Sequence, residues 1–247
     1  MGTNAERPSI IKRVTRFGWT LTLVALCFSL PVQDARSEET AVSGVRASER
    51  VENALTPAEQ YDRGVDYDKG RGVPIDEKKA AYWFTKSAEQ GYLDAQYNLA
   101  GMYFSGRGVA QDQTQAGFWF RKAADQGDYE AQYNLAVMYE NGIGFPQSYE
   151  EAVRWYEKSA NQGFVDAQYN LAELFHTGTG VKQDYKEASR WYEKAAEQGD
   201  IPSQVNLALL FSYGLGVDRD YSKAIYWLEK AAVNGDHRAQ HNLAQLY

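Results

Sequence analysis

The chain repeats itself with a period of 36 residues, and this period constrains its fold more than any other sequence feature. Tryptophan recurs at this spacing five times, and paired and single glycines follow it. A fixed period of this size is typical of stacked supersecondary units, each of which buries its apolar face against its neighbours. The recurring residues are Trp83, Trp119, Trp155, Trp191 and Trp227, the pairs Gly70/Gly72, Gly106/Gly108, Gly142/Gly144, Gly178/Gly180 and Gly214/Gly216, and Gly91, Gly127, Gly163, Gly199 and Gly235.

Within residues 92–127 the apolar pattern predicts two helices separated by a glycine loop. Ala95, Leu99 and Met102 recur at i, i+4 and i+7, which is the spacing of one helical stripe, so we predict a first helix, called helix A. A second helix, called helix B, is predicted around Trp119. Good N-cap residues mark the start of every B helix in one column: Asp76, Asp112, Ser148, Asp184 and Asp220. The sequence therefore predicts an all-α fold, a right-handed solenoid of antiparallel helix pairs.

Two copies of the motif A-Q-Y-N-L-A-x-M-Y-x-x-G-x-G stand at Ala95–Gly108 and Ala131–Gly144. Each is followed by a segment of the form A-x-x-W/F-Y/F-x-K-A/S-A-x-Q-G. These motifs resemble Sel1-like repeats, which are relatives of the tetratricopeptide repeat with a longer loop between helices A and B. The resemblance covers about residues 57–247. It implies a protein-interaction scaffold or adaptor, and it does not name the partner.

The first part of the chain lies outside the repeat. Basic residues precede an apolar run over residues 17–30, and a helix-breaking proline follows; this order predicts a secretory signal peptide at residues 1–35. An uncleaved signal anchor is the alternative. Residues 36–55 are polar without an aromatic residue and predict a disordered linker. Residues 56–247 form the predicted repeat domain of five repeats and a final A helix. We expect an exported protein, periplasmic or secreted from a bacterial cell, with no stable membrane insertion after cleavage.

The charge balance and the cysteine count limit the partners of the chain. It carries 26 basic and 33 acidic residues, a net charge of −7, and cleavage of the predicted signal peptide would make this balance more negative. An acidic protein is a poor match for nucleic acid, so we expect no nucleic-acid partner. The single cysteine, Cys27, lies in the predicted signal peptide, so the mature chain would contain no disulfide or thiolate site.

Sequence patterns typical of catalysis are nearly absent. His237 and His241 stand at i, i+4, but no metalloprotease pattern accompanies them. The glycine loops lack the Lys-Ser/Thr of a phosphate-binding loop, and the only Ser-x-x-Lys, Ser9 to Lys12, lies in the predicted signal peptide. We therefore expect no enzyme activity, catalytic residue, metal or cofactor. The alternative is a cell-envelope hydrolase, like the cysteine-rich relatives described as β-lactamases, whose cysteine pairs this chain lacks.

In tetratricopeptide-type solenoids the A helices line the concave face, so the resemblance implies a binding groove there. A-helix positions off the core stripe would then point into the groove, and tyrosines beside acids would favour a protein or peptide partner with basic and apolar side chains. The alternative is that the tyrosines pack against neighbouring helices. The candidate groove residues are Tyr97, Tyr133, Tyr169 and Glu173, with Asp94, Glu130 and Asp166 on the rim.

Two amide columns recur in every repeat, and we expect both to satisfy backbone groups at the turn beside them. A partner-binding asparagine ladder is the alternative for the first column. The columns are Asn98, Asn134, Asn170, Asn206 and Asn242, and Gln96, Gln132, Gln168, Gln204 and Gln240.

Overall fold

The computed structural model describes residues 55–246, and within that range the chain forms eleven α-helices and no β-strand. The predicted signal peptide and all but the last residue of the predicted linker lie outside the described residues. The helices are α1 (Pro57–Lys69), α2 (Glu77–Glu89), α3 (Leu93–Ser105), α4 (Gln113–Asp125), α5 (Tyr129–Asn141), α6 (Tyr149–Asn161), α7 (Val165–Thr177), α8 (Tyr185–Glu197), α9 (Ile201–Tyr213), α10 (Tyr221–Val233) and α11 (His237–Leu246). Odd-numbered helices are the predicted A helices, and even-numbered helices are the B helices. None of them is long and apolar enough to cross a membrane.

Each inner A helix packs against two B helices, one from its own repeat and one from the preceding repeat. The helix α3, for example, contacts both α4 and α2, and the same pattern continues to α9. Because every helix finds its main neighbours within one repeat on either side, the apolar surface is buried along the whole array. The predicted all-α solenoid of helix pairs is confirmed.

Local backbone chemistry explains where the helices begin and end. The Asp112 carboxylate accepts the backbone N–H groups of Thr114 and Gln115 at 2.9 and 3.0 Å, which caps the start of α4. The preceding loop depends on glycine for a steric reason as well. Gly108 has φ of +67°, and a Cβ atom there would lie 2.0 Å from the carbonyl oxygen of Glu77 in the preceding B helix. The loop glycines therefore allow successive repeats to stack closely.

Both helices of each repeat contribute to the core, and the B helices supply a pair of large side chains at two successive positions. Four of the five recurring tryptophans are buried, and Trp119 is half-buried. The next position in each B helix is buried still more completely, because it points between the A helices of two repeats. Its residues are Phe84, Phe120, Tyr156, Tyr192 and Leu228.

A ladder of glutamine side chains connects successive repeats. Gln96 Nε2 donates to the carbonyl oxygen of Ala88, which is at the end of the preceding B helix, at 3.1 Å. Gln126 Nε2 donates to Gln96 Oε1 at 2.7 Å and to the carbonyl oxygen of Gly91 at 3.1 Å. The expectation that the glutamine column satisfies nearby backbone groups is confirmed for four of its members. The equivalent bonds recur at Gln132 with Gln162 and at Gln168 with Gln198, and Gln204 donates to Ala196.

The ladder is interrupted in the fifth repeat. Asn234 stands where the other repeats have glutamine, and its shorter side chain donates to the carbonyl oxygen of Lys230 at 2.9 Å. The Gln204 Oε1 atom is consequently buried without a hydrogen bond from any of the residues 55–246. A buried acceptor without a donor costs free energy, so this position weakens the array.

We expect the substitution Asn234→Gln to complete the ladder and to raise the free energy of unfolding by about 1 kcal/mol, because a buried acceptor gains its donor. The measurement is the urea midpoint at constant slope. The matched control, Gln162→Asn, removes the same bond from the third repeat and should lower the midpoint. Unchanged midpoints in both variants would show that the ladder does not stabilise the fold.

Candidate binding surface on the A helices

Two grooves open between successive A helices, one toward each end of the described array. We call the surface formed by α1, α3, α5, α7, α9 and α11 the A-helix face. The N-terminal groove lies between α1 and α3 and has a volume of about 480 Å³. The C-terminal groove lies between α9 and α11 and has a volume of about 400 Å³. Both volumes are large enough to hold side chains of a bound segment.

Between the two grooves, tyrosine hydroxyls from B helices reach carboxylates on A helices. Tyr156 Oη donates to Glu140 Oε2 at 2.6 Å, and Asn170 Nδ2 donates to Tyr156 Oη at 3.1 Å. Burial and the neighbouring Glu140 carboxylate raise the pKa of Tyr156 well above its ordinary value. The hydroxyl therefore stays protonated and holds the carboxylate in one position.

One repeat later a similar cluster includes a histidine. Tyr192 Oη donates to Glu173 Oε1, which also accepts a hydrogen bond from Asn206 Nδ2 at 2.7 Å. His176 Nδ1 lies 3.2 Å from the same tyrosine hydroxyl. Burial and the Glu173 carboxylate raise the pKa of Tyr192 above its ordinary value, so at neutral pH this tyrosine is a hydrogen-bond donor and not a base or nucleophile.

The expectation that the first tyrosine column is exposed is wrong at two of its three positions. Tyr97 is 2% exposed and Tyr133 is 0% exposed. Their rings pack on B-helix rings, with centroid distances of 5.8 Å from Tyr97 to Phe120 and 5.8 Å from Tyr133 to Tyr156. The alternative, packing against neighbouring helices, is therefore correct at these two positions. The reason is that an A helix contacts two B helices, so its buried surface is wider than one stripe.

The third tyrosine and the acidic candidates divide between the core and the surface. Tyr169 is half-buried, with its ring centroid 6.1 Å from that of Tyr192. The rim position proposed for Glu130 is wrong, because this residue is only 5% exposed. Burial, together with the Glu130 carboxylate, raises the pKa of Tyr97. Asp94, Asp166 and Glu173 are half-buried, so part of each side chain remains accessible to solvent.

The asparagine column has a different role from the expected one. Asn98 Nδ2 donates to Tyr61 Oη at 3.4 Å, and Asn170 and Asn206 donate to the tyrosine and glutamate already described. These bonds join side chains of different helices and do not satisfy the backbone of an adjacent turn. The asparagine side chains therefore hold polar groups of the A-helix face in place through hydrogen bonds between helices.

Sequence reasoning missed the column that contains Asp68, Glu140 and His176, and it also missed Arg71 and Arg107 of the N-terminal groove. These positions combine titratable side chains with different chemistry in each repeat. The appearance of charged side chains at a fixed register position was the available signal, because a position that only packs would keep apolar or aromatic residues. The column as a whole is Asp68, Phe104, Glu140, His176 and Ser212.

The histidine pair of the last helix lines the C-terminal groove. His237 Nδ1 lies 3.3 Å from Gln240 Oε1, and His241 Nε2 lies 3.0 Å from Gln245 Nε2. Within residues 55–246, no three histidine, cysteine or acidic side chains come together in a way that could hold a metal ion.

Comparison with known proteins agrees with this architecture. A family model described as Sel1 repeat matches residues 60–92, 93–128, 130–164, 165–200 and 201–236. No curated protein sequence matches the chain. The solved structure of c5321, a protective antigen of uropathogenic Escherichia coli with an SLR fold, is 35% identical with a TM-score of 0.74; the alignment covers 77% of this chain and 41% of that one. A Sel1 repeat protein from Oxalobacter formigenes is 36% identical with a TM-score of 0.65, and the alignment covers 78% of each chain. The chain belongs to the Sel1 repeat family.

Proposed function

We propose that this protein is an exported scaffold that binds a protein or peptide along its A-helix face. Proteins built from Sel1 repeats generally mediate protein–protein interactions. The observation that carries the proposal is that the N-terminal and C-terminal grooves both open between A helices. A partner lying across this face would contact several repeats at once, as is typical of solenoid recognition surfaces.

The centre of the A-helix face supports recognition more than catalysis. Glu140 and Glu173 are held by tyrosine hydroxyls that stay protonated, so their carboxylates are oriented before a partner arrives. Preorganised groups lose little freedom on binding. Together with the half-buried Tyr169, Asp94 and Asp166, they suit basic and apolar side chains of the partner. We accordingly propose a binding protein and not an enzyme.

The outer surface of the central B helices differs from the A-helix face. Arg154 Nη1 lies 2.7 Å from Glu151 Oε1, and Arg190 Nη2 lies 2.7 Å from Glu187 Oε2, each within one helix turn. These local pairs leave the charges solvated and mutually compensated. This contrast favours the A-helix face as the binding surface.

We expect a photo-crosslinking amino acid to capture the partner when it replaces Ser105 or His241, which are exposed and line the two grooves. The experiment uses living cells of the source organism, followed by mass spectrometry of the adducts. Replacement at Glu157 or Glu193, which are exposed positions on B helices, is the control. The same adducts at groove and B-helix positions, or adducts at the B-helix positions alone, would refute the proposed surface.

We expect residues 1–40, fused to a reporter that is active only outside the cytoplasm, to give a signal. The basic, apolar and helix-breaking order of this segment is the physical basis of export. Sequencing of the processed protein should find a mature N-terminus near Arg36. Recovery of Met1 from the exported protein would instead support an uncleaved signal anchor, and an inactive reporter would contradict export.

A further inference from the structure

The N-terminal groove combines an apolar floor with a charged mouth. Tyr61, Val65, Phe84 and Met102 supply the apolar surface. The charged residues stand at the C-terminal end of α1 and in the loops that follow α1 and α3. They are Asp68, Lys69, Arg71 and Arg107, which is three cations and one carboxylate. A cationic mouth is notable in a chain whose net charge is −7.

The first repeat lacks the tyrosine hydroxyl that the third and fourth repeats place beneath the A-helix face. Phe84 occupies the register position of Tyr156, and Asp68 occupies that of Glu140. In the third repeat the tyrosine donates to the glutamate, whereas the phenylalanine has no hydroxyl to donate. Asp68 is bound by Lys69 Nζ at 2.8 Å and by Arg107. The phenylalanine therefore leaves an apolar floor, and Asp68 pairs with the cations of Lys69 and Arg107 instead of a tyrosine hydroxyl.

A small residue on α3 also keeps the N-terminal groove open. Gly101 lines it, whereas Glu173 occupies the same register position two repeats later. Leu209, at the same position again, lines the C-terminal groove. Side chains are therefore compatible with the helix at this position, and their absence at Gly101 leaves room for a ligand.

The charges at the mouth retain capacity for an anion. Lys69 and Arg107 both pair with the carboxylate of Asp68, whose side chain is 10% exposed, while 46% of the Arg107 side chain is exposed. Arg107 Nε also lies 3.3 Å from Glu77 Oε1. Arg71 is exposed and forms no ion pair with any of the residues 55–246. Guanidinium groups bind carboxylates through paired hydrogen bonds, and Asp68 on the wall disfavours a ligand with two negative charges.

We infer that the N-terminal groove binds a segment of a protein partner in which a carboxylate side chain stands beside an aliphatic or aromatic side chain. The apolar side chain lies on Phe84 and Met102, and the carboxylate meets Arg71 and Arg107. This inference rests on the proposed function and specifies one end of the bound segment. The centre of the A-helix face favours basic side chains, so the bound segment would have a defined direction along the array.

The test selects peptides from a displayed library of short random sequences on the full chain. We expect the selected peptides to place an acidic residue next to a leucine, phenylalanine or similar residue. The best peptide is then labelled with a fluorophore, and its dissociation constant is measured by anisotropy. Replacing its acidic residue with the corresponding amide should weaken binding about tenfold, which is the scale of one charged hydrogen-bonded contact.

Matched variants locate the binding to the groove. The double variant Arg71→Gln with Arg107→Gln should weaken the acidic peptide about tenfold and leave the amide peptide unchanged. The control, Arg154→Gln with Arg190→Gln, removes the same charge from the B helices and should leave both affinities unchanged. A third variant, Gly101→Leu, fills the groove without a change of charge and should weaken both peptides. Circular dichroism checks that each variant is folded.

Several results would overturn the inference. They are the selection of basic peptides, the absence of any selected peptide, an equal loss in both arginine double variants, or unchanged binding to the Gly101→Leu variant. A synthetic peptide of residues 36–54, which contains four glutamates and three arginines, tests this segment of the chain as a rival ligand. If that peptide binds in an Arg71-dependent manner while no library peptide is selected, the groove serves an internal segment and the partner assignment fails.

The crosslinking experiment separates this inference from the proposed function. Partner adducts at Ser105 and His241 combined with a failed peptide test would reject only the assigned chemistry of the groove. Adducts confined to Glu157 and Glu193 would reject the A-helix face itself.

Discussion

Each inner A helix of this protein is packed between two B helices, and the position of every accessible group depends on that arrangement. Tyr97 and Tyr133 lie in the core, where their rings pack on the B-helix rings of Phe120 and Tyr156, and Phe164 at the start of α7 also packs on Tyr133. What remains for a ligand is the narrow strip of each A helix that faces away from both B helices. The binding surface is therefore assembled from a few positions in each repeat and is extended along the array.

Differences between repeats decide what this strip can recognise. The buried B-helix position after the tryptophan is phenylalanine in the first two repeats and tyrosine in the third and fourth. Where it is tyrosine, the hydroxyl donates a hydrogen bond to a carboxylate of an A helix, so the strip is polar there. At Phe84 the same position contributes an apolar floor to the groove that Arg107 also lines. A single oxygen atom, present or absent in the core, thus changes the chemistry of the surface above it.

Much of the fold could be predicted from the sequence, because its determinants are local. The 36-residue period shows the tryptophan Trp155, the N-cap Asp112 and the loop glycine Gly108. Each of them makes its contacts within its own repeat or with a neighbouring repeat. The burial of Tyr133 could not be predicted in this way, since it depends on the geometry with which the rings of Tyr156 and Phe164 pack on it. The N-terminal groove was also missed, because its lining residues come from α1, α2 and α3 and meet only in three dimensions. Asp68 and Arg107 are far apart in the chain, and no sequence motif connects them.

The glutamine ladder has a consequence for motion. Its side-chain bonds run from the Gln90–Gln60 pair to the bond between Gln204 and Ala196, and they are interrupted at Asn234. The last two helices, α10 and α11, are thus joined to the array without this connection. Local opening in repeat proteins begins where the interface between neighbours is weakest, so amide protons of α10 and α11 should exchange with solvent earliest. A site that is only partly folded binds its ligand with reduced apparent affinity. The two grooves would then differ in kinetics as well as in chemistry, with the N-terminal groove rigid and the C-terminal groove adaptable.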